Sequence, residues 1–291
     1  MIAVTWGSGD DPVRVGLSTA SVYPENTEAA FRYAAELGYD GIELMVWAES
    51  ISQDPGAVAR LVRTYSMPVL AVHAPCLLIS QRVWGSDPVA KLDRSVRVAE
   101  ELGAETVVVH PPFRWQRRYA EGFVEQVERL ESGSAVAVAV ENMFPMRADG
   151  LFGKSAERLR RRGGPGPAVS AFSPSFDPTD TGFRHYTLDL SHTATAGTDP
   201  LDIAGRMGGQ LAHLHLADGD GASHDEHLIP GRGTQDVAQV CRRIVDAGFR
   251  GHAVIEVNTQ SARTRRERST LLDEALGFAR EHLRVTDPTG R

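Results

Sequence analysis

Eight short runs rich in Val, Ile and Leu recur along the chain, and each is followed by a longer stretch that closes on Gly or Pro. They are VRVGLS (13–18), GIELMV (41–46), VLAVHA (69–74), TVVVHP (106–111), VAVAVEN (136–142), HYTLDLS (185–191), LAHLHLA (211–217) and HAVIEVN (252–258). Near-continuous apolar runs of this length suit strands buried on both faces, as parallel strands joined by crossover helices are. Eight such units close most economically into a (β/α)8 barrel, because closure removes both sheet edges. An open, doubly wound sheet is the alternative.

The intervening stretches carry helix punctuation. TEAAFRYAAELG (27–38) has Asn26 or Thr27 as its N-cap and Gly38 as its stop, and DPVAKLDRSVRVAEELG (87–103) has Asp87 as cap, Pro88 at the first helical position and Gly103 at the end. GTQDVAQVCRRIVDAGF (233–249) repeats the pattern. Residues 1–291 therefore read as a single barrel domain, broken by an insertion at about 145–184. That segment is rich in Gly, Pro, Ser and Arg and long for a βα loop, which suits a surface insertion or a lid.

A net charge of -7 offers no global basic field for nucleic acid or anionic lipid, although a local basic patch stays open. Lys91 and Lys154 are the only lysines, which leaves few candidates for Schiff-base chemistry. Cys76 and Cys241 are too few for a disulfide framework, and the N-terminus lacks a basic, apolar leader. No run approaches the roughly 20 apolar residues of a membrane span. These features lead us to expect a cytoplasmic protein.

In a barrel of this kind, functional side chains sit where the strands end. The third run ends in His73, the fourth in His110, the fifth in Glu141, the sixth in Asp189 with His192 just beyond, the seventh in His215 and the eighth in Glu256. One polar strand end can be a capping group. Six in succession each place a polar group beside an apolar core, and a shared cation would offset that cost. After His215, the stretch HLHLADGDGASHDEH (213–227) supplies Asp225 and His227, whose side chains would point the same way on an extended backbone. His224 competes for that position, but the Asp-x-His spacing selects His227. Imidazole and carboxylate ligands without thiolate suit Zn first, with Mn, Fe or Co compatible. Nine ligands exceed the needs of one ion, so the expectation is one to three.

These motifs resemble the xylose isomerase-like TIM-barrel superfamily, and the ligand pattern is similar to that of endonuclease IV, which holds a trinuclear zinc centre. The matching stretches are VHAPCLLIS at His73, VVVHP at His110, VAVEN at Glu141, LDLSHTATAG at Asp189 and His192, HLHLAD at His215, DEHLIPGRG at Asp225 and His227, and VIEVN at Glu256. The same superfamily includes sugar isomerases and epimerases. There the resemblance implies a single metal on Glu141, Asp189, His215 and Glu256, with Glu141 and Glu256 also shuttling a proton on opposite faces of the substrate carbon.

The leading expectation is a metal-dependent isomerase or epimerase acting on a small sugar or sugar phosphate. The loop WAESISQDPG (47–56) lacks the Arg and aromatic wedge that the DNA-repair relatives insert into a duplex, and GRG stands where those relatives carry Gly-Glu-Gly. The alternative is a multinuclear phosphodiesterase acting on abasic DNA or another phosphate ester. It draws on the full nine-ligand set and makes nucleic acid the lesser partner expectation. A metal-binding protein without catalysis is third. Arg232 is a candidate for an anionic substrate group, Trp47 and Trp115 for stacking on a sugar, and His213 for orienting a ligand from beside His215. Core packing is the competing reading for Trp47, Trp84 and Trp115. His185, His252 and His282 read as ordinary surface or strand-end residues, and RTRRERS (263–269) as the solvated start of the last helix.

Overall fold

The computed structural model describes residues 13–75, 82–147, 168–169, 171–222 and 224–284. Eight parallel strands close into a barrel: β1 (Arg14–Ser18), β2 (Gly41–Met45), β3 (Val69–His73), β4 (Thr106–Val109), β5 (Ala137–Glu141), β8 (Tyr186–Asp189), β9 (Leu211–Leu216) and β10 (His252–Ile255). Around the ring the order is β1, β10, β9, β8, β5, β4, β3, β2, which rules out the open sheet. All eight runs read from the sequence form its staves. A two-residue ribbon, β6 (Met146–Arg147) with β7 (Ala168–Val169), stands outside the barrel.

Local chemistry sets the helix ends. In α1 (Thr27–Leu37) the Asn26 side chain accepts from Ala29 N at 3.0 Å, and Gly38 takes the left-handed conformation at φ 81°. In α3 (Pro88–Leu102) Asp87 caps the Val89 amide at 3.0 Å, and Gly103 closes the helix at φ 72°. The other crossovers carry α2 (Pro55–Tyr65), α4 (Arg117–Gly133), the pair α5 (Leu190–Ala196) and α6 (Pro200–Met207), α7 (Val237–Asp246) and α8 (Arg265–His282). Strand residues such as Ile42, Leu44, Val72, Val138, Leu188 and Leu214 pack with helix residues such as Phe31, Val96, Phe123 and Leu276 into one continuous core.

The opposite strand faces meet in the lumen, and contacts between non-adjacent strands identify them. The rings of His73 on β3 and His215 on β9 stack at 5.7 Å although four ring steps separate those strands. The lumen is therefore bridged by polar side chains rather than filled with the branched aliphatic layers usual in such barrels. Among the described residues no helix is long and apolar enough to cross a membrane.

The 145–184 insertion is described only at its two ends. Phe113 from the β4–α4 loop packs with Met143, Ala171 and Phe172 there, and Phe113 and Phe172 also bridge. The rest of the lid or surface-insertion reading lies outside the described residues, as do Cys76 and Lys154. Cys241 is buried in the core, and burial pushes its thiol up to about 12.

Barrel closure is tightest where β10 begins. A Cβ at Gly251 would sit 1.9 Å from the Ala212 carbonyl oxygen, a backbone atom that cannot step aside. Gly251→Ala is expected to cost at least about 2 kcal/mol by overpacking. Calorimetry should show a clearly lower melting temperature, and an unchanged one would contradict the stated closure.

Candidate metal centre

Barrel geometry delivers the side chains from separate staves. His73, Glu141 and Asp189 are the last residues of β3, β5 and β8, and His110 and Glu256 follow directly on β4 and β10. His215 is the penultimate residue of β9. Asp189 also caps α5, accepting from His192 N at 2.8 Å, so the Asp-x-x-His spacing turns both side chains to one place.

Two foci share Glu141. His110 Nε2 lies 3.0 Å and His73 Nε2 3.4 Å from Glu141 Oε2. Around His215 Nδ1 three carboxylates converge: Glu256 Oε2 at 2.9 Å, Glu141 Oε1 at 3.3 Å and Asp189 Oδ2 at 3.3 Å. A third focus joins His192 Nε2 (3.1 Å) and His227 Nε2 (2.6 Å) on Asp225 Oδ2. Potential ligand atoms of Glu141, Asp189 and His215 fall within 4.8 Å of one another, as do those of His73, His110 and Glu141, and those of Asp189, His192 and His227.

Backbone carbonyls orient three of the rings. His73 Nδ1 donates to Ala74 O (2.9 Å), His192 Nδ1 to Asn142 O (2.8 Å) and His227 Nδ1 to Glu256 O (2.8 Å); this leaves His73 Nε2 toward Glu141 and the His192 and His227 Nε2 atoms toward Asp225, with His192 Nδ1 also 3.3 Å from Glu141 Oε1. His215 is reversed: its Nε2 lies 3.0 Å from Glu43 Oε2 and its Nδ1 faces inward. Asn142 clamps the strand ends, accepting from Asp189 N at 2.7 Å and donating to Asp189 O at 3.0 Å.

The loop carrying Asp225 and His227 is folded back on itself rather than extended, which corrects the sequence expectation. Asp218 is its clasp: Oδ2 accepts from Gly231 N and Gly233 N, both at 3.0 Å, and Oδ1 from Gly219 N at 2.8 Å. A Cβ at Gly233 would come within 2.3 Å of Asp218 Oδ1. His227 sits at φ 47°, a left-handed conformation that costs a non-glycine residue of order 1–2 kcal/mol. Ser191 Oγ holds the turn by accepting from His227 N at 2.9 Å while donating to Asp225 Oδ1.

Charge is concentrated here and shielded from water. Burial alone would push the Glu141 pKa up, but His110 and His215 overcome it and hold the carboxyl well below its ordinary range. Burial would likewise push His215 down, and Glu43, Glu256 and Glu141 hold it well above its ordinary value. For His192, Asp189 and Asp225 outweigh burial and raise the pKa to about 9. Among the described residues, Glu141 Oε2 and Asp189 Oδ2 are buried and meet only imidazole nitrogens, His110 and His73 for the first and His215 for the second. Buried carboxylate oxygens facing inward among imidazoles are a donor set that fits a divalent cation.

A cavity of about 580 Å³ opens at the centre, lined by His73, His110, Glu141, Asp189, His192, Asp225, His227 and Glu256; His215 is buried behind that lining, against Glu141, Asp189 and Glu256. Trp47 also lines it, edge-on to Tyr23 at 5.6 Å. Four other residues singled out in the sequence lie elsewhere. Arg232 Nε binds Glu274 at 2.7 Å on the outer helix α8 and is outside the cavity lining. Trp115 is 59% exposed and stacks on Phe113 outside the cavity lining. His213 is fully buried outside the cavity lining, beside His215 as the sequence reading had it, with Nε2 2.8 Å from Glu43 Oε2. His252, read as an ordinary strand-end residue, is buried at 6.4 Å from His213. Sequence reasoning missed Glu43, Asn142, Ser191 and Asp218; for Glu43 the available signal was a carboxylate between Ile42 and Leu44 in an otherwise apolar run.

The chain matches the family model described as xylose isomerase-like TIM barrel over residues 31–162 and 184–282. It is 68% identical to an uncharacterized protein of Mycobacterium tuberculosis over 274 residues, covering 93% of this chain and 98% of that one. A fructoselysine 3-epimerase of Shigella flexneri is 24% identical over 269 residues, 85% of this chain and 91% of its own. Among solved structures, a D-tagatose 3-epimerase-like protein shares the fold with a TM-score of 0.64 at 20% identity, covering 92% of this chain and 98% of that one.

The raised His192 pKa fixes a pH window. The stability it adds to the metal-free protein is fully present below its ordinary value of 6.5 and is lost as pH rises through about 9. Chelator-treated protein should therefore melt at a lower temperature at about pH 9.5 than at about pH 6.5. Metal uptake should strengthen across the same window and release protons, measurable by calorimetry in buffers of different ionisation enthalpy. A flat melting profile with no proton release would contradict this electrostatic picture.

Proposed function

The chain belongs to the xylose isomerase-like TIM-barrel family, and on that premise we propose that it is a divalent-metal-dependent sugar isomerase or epimerase. The observation that carries the reading is the approach of Glu141 and Glu256 to one point from staves three ring steps apart, 3.3 and 2.9 Å from His215 Nδ1. Two carboxylates that converge from separate staves could take a proton from one face of a bound substrate carbon and return it to the other. Glu141, Asp189, His215 and Glu256 would hold the ion, which when bound supplies Lewis-acid polarisation of a carbonyl and its neighbouring hydroxyl. The imidazole and carboxylate donors suit Zn, with Mn, Fe or Co compatible.

Trp47 and Tyr23 offer an apolar wall for one face of a sugar, while Asn258 and Gln260 on the cavity rim offer hydrogen bonds to hydroxyls. Among the described residues lining the cavity there is no Lys or Arg, which favours an uncharged sugar over a sugar phosphate. The fructoselysine 3-epimerase named above lends the reading its substrate class, a polyhydroxy ketone. One observation favours a second reading, hydrolysis of a phosphate ester: His73, His110, His192, Asp225 and His227 face the same cavity and exceed what one ion requires.

The test is proton exchange. Incubated in heavy water with a panel of ketoses, metal-loaded protein should incorporate deuterium at the carbon whose stereochemistry or oxidation level changes, followed by NMR. Chelation should stop it, and Glu256→Gln should slow it by about 10²–10⁴-fold. Exchange that survives chelation, or cleavage of phosphate esters with no exchange into any ketose, would overturn the isomerase reading.

A further inference from the structure

Beneath the centre, Glu43 of β2 is fully buried in the barrel lumen. Its Oε2 lies 2.8 Å from His213 Nε2 and 3.0 Å from His215 Nε2, both on β9. The staves β2 and β9 are three steps apart, so this carboxylate reaches across the interior. Its register partners Ser18 and Ala71 are small and leave it room. We infer that Glu43 is the positioning residue for the metal centre: by accepting from His215 Nε2 it fixes the ring orientation that presents Nδ1 to Glu141, Asp189 and Glu256. The inference rests on the reading of those four residues as metal ligands.

The ring geometry explains why a separate positioning group is needed. His215 stacks nearly flat on His73, with 12° between the planes. Stacking fixes the plane of an imidazole but not its flip, because a half-turn about the Cβ–Cγ bond leaves the plane unchanged while moving both nitrogens. The bond from Nε2 to Glu43 removes that degeneracy and keeps the metal-facing nitrogen free of its own proton once an ion is bound. His213, two residues back on the same strand face, meets the same oxygen and holds the carboxylate in place.

A purely stabilising role explains the arrangement less well. Among the described residues, Glu43 Oε1 and His213 Nδ1 are buried without hydrogen-bond partners, a destabilising defect. An apolar side chain in this position would avoid both the defect and the desolvation of a carboxylate.

The test compares Zn2+ and Mn2+ affinity, by competition with a chromophoric chelator, in wild type, Glu43→Gln, His215→Ala and the double variant, alongside melting of the metal-free proteins. Glu43→Gln should bind 10- to 100-fold more weakly while melting close to wild type, and in the His215→Ala background it should cause no further loss. Affinity equal to wild type, or an equal loss in both backgrounds, overturns the assignment. If Glu43→Gln does not fold, His213→Gln serves instead: the Glu43–His215 bond survives, so the loss should be less than tenfold. A loss as large as that of His215→Ala would overturn it. Wild-type protein that takes up neither ion defeats the metal reading itself. Wild type that binds while Glu43→Gln binds as tightly defeats only the role of Glu43.

Discussion

Four carboxylates, Glu43, Glu141, Asp189 and Glu256, are drawn out of water around the single imidazole of His215, each within 3.3 Å of one of its ring nitrogens. Taking even one such charge from water costs several kcal/mol, and clustering like charges adds to it. One imidazolium cannot balance four anions. The further histidines at the mouth, His73, His110, His192 and His227, can supply part of the balance, and a divalent cation would supply the rest, having the right sign and suiting these donors. Such a cation would account for polar groups where a barrel lumen normally holds branched aliphatics.

Each level of the structure serves that cluster. Closure of eight staves brings β3, β5, β8, β9 and β10 to a common mouth. The backbone carbonyls of Ala74, Asn142 and Glu256 orient three rings, and Glu43 orients the fourth. The Asp218 clasp and the strained His227 turn bring the last two side chains over the rim. Strain held by surrounding bonds at a functional site is a usual way for a fold to fix a ligand that its regular elements cannot reach.

The barrel is legible in the sequence because both faces of each stave are buried, which leaves eight apolar runs and capped helices as signal. The clustering at the mouth is legible for the same geometric reason, since position at a strand end translates directly into position at the mouth. Glu43 is hidden because a strand buried on both faces shows no alternation, so nothing in the sequence says which of its residues face the lumen. Arg232 and Trp115 mislead because they lie in loops, where a few degrees of backbone rotation redirect a long side chain and where Glu274 and Phe113 offer nearby partners. The backbone turn at His227 is likewise a tertiary product of Ser191 and Asp218, absent from local propensity.

The most direct measurement is anomalous diffraction from crystals grown with Zn2+, recorded on both sides of the zinc absorption edge. Our account predicts an ion bounded by Glu141, Asp189, His215 and Glu256, at ligand distances of about 2.0–2.2 Å. An anomalous map empty at that point, or an ion held only by exposed side chains elsewhere, would contradict it.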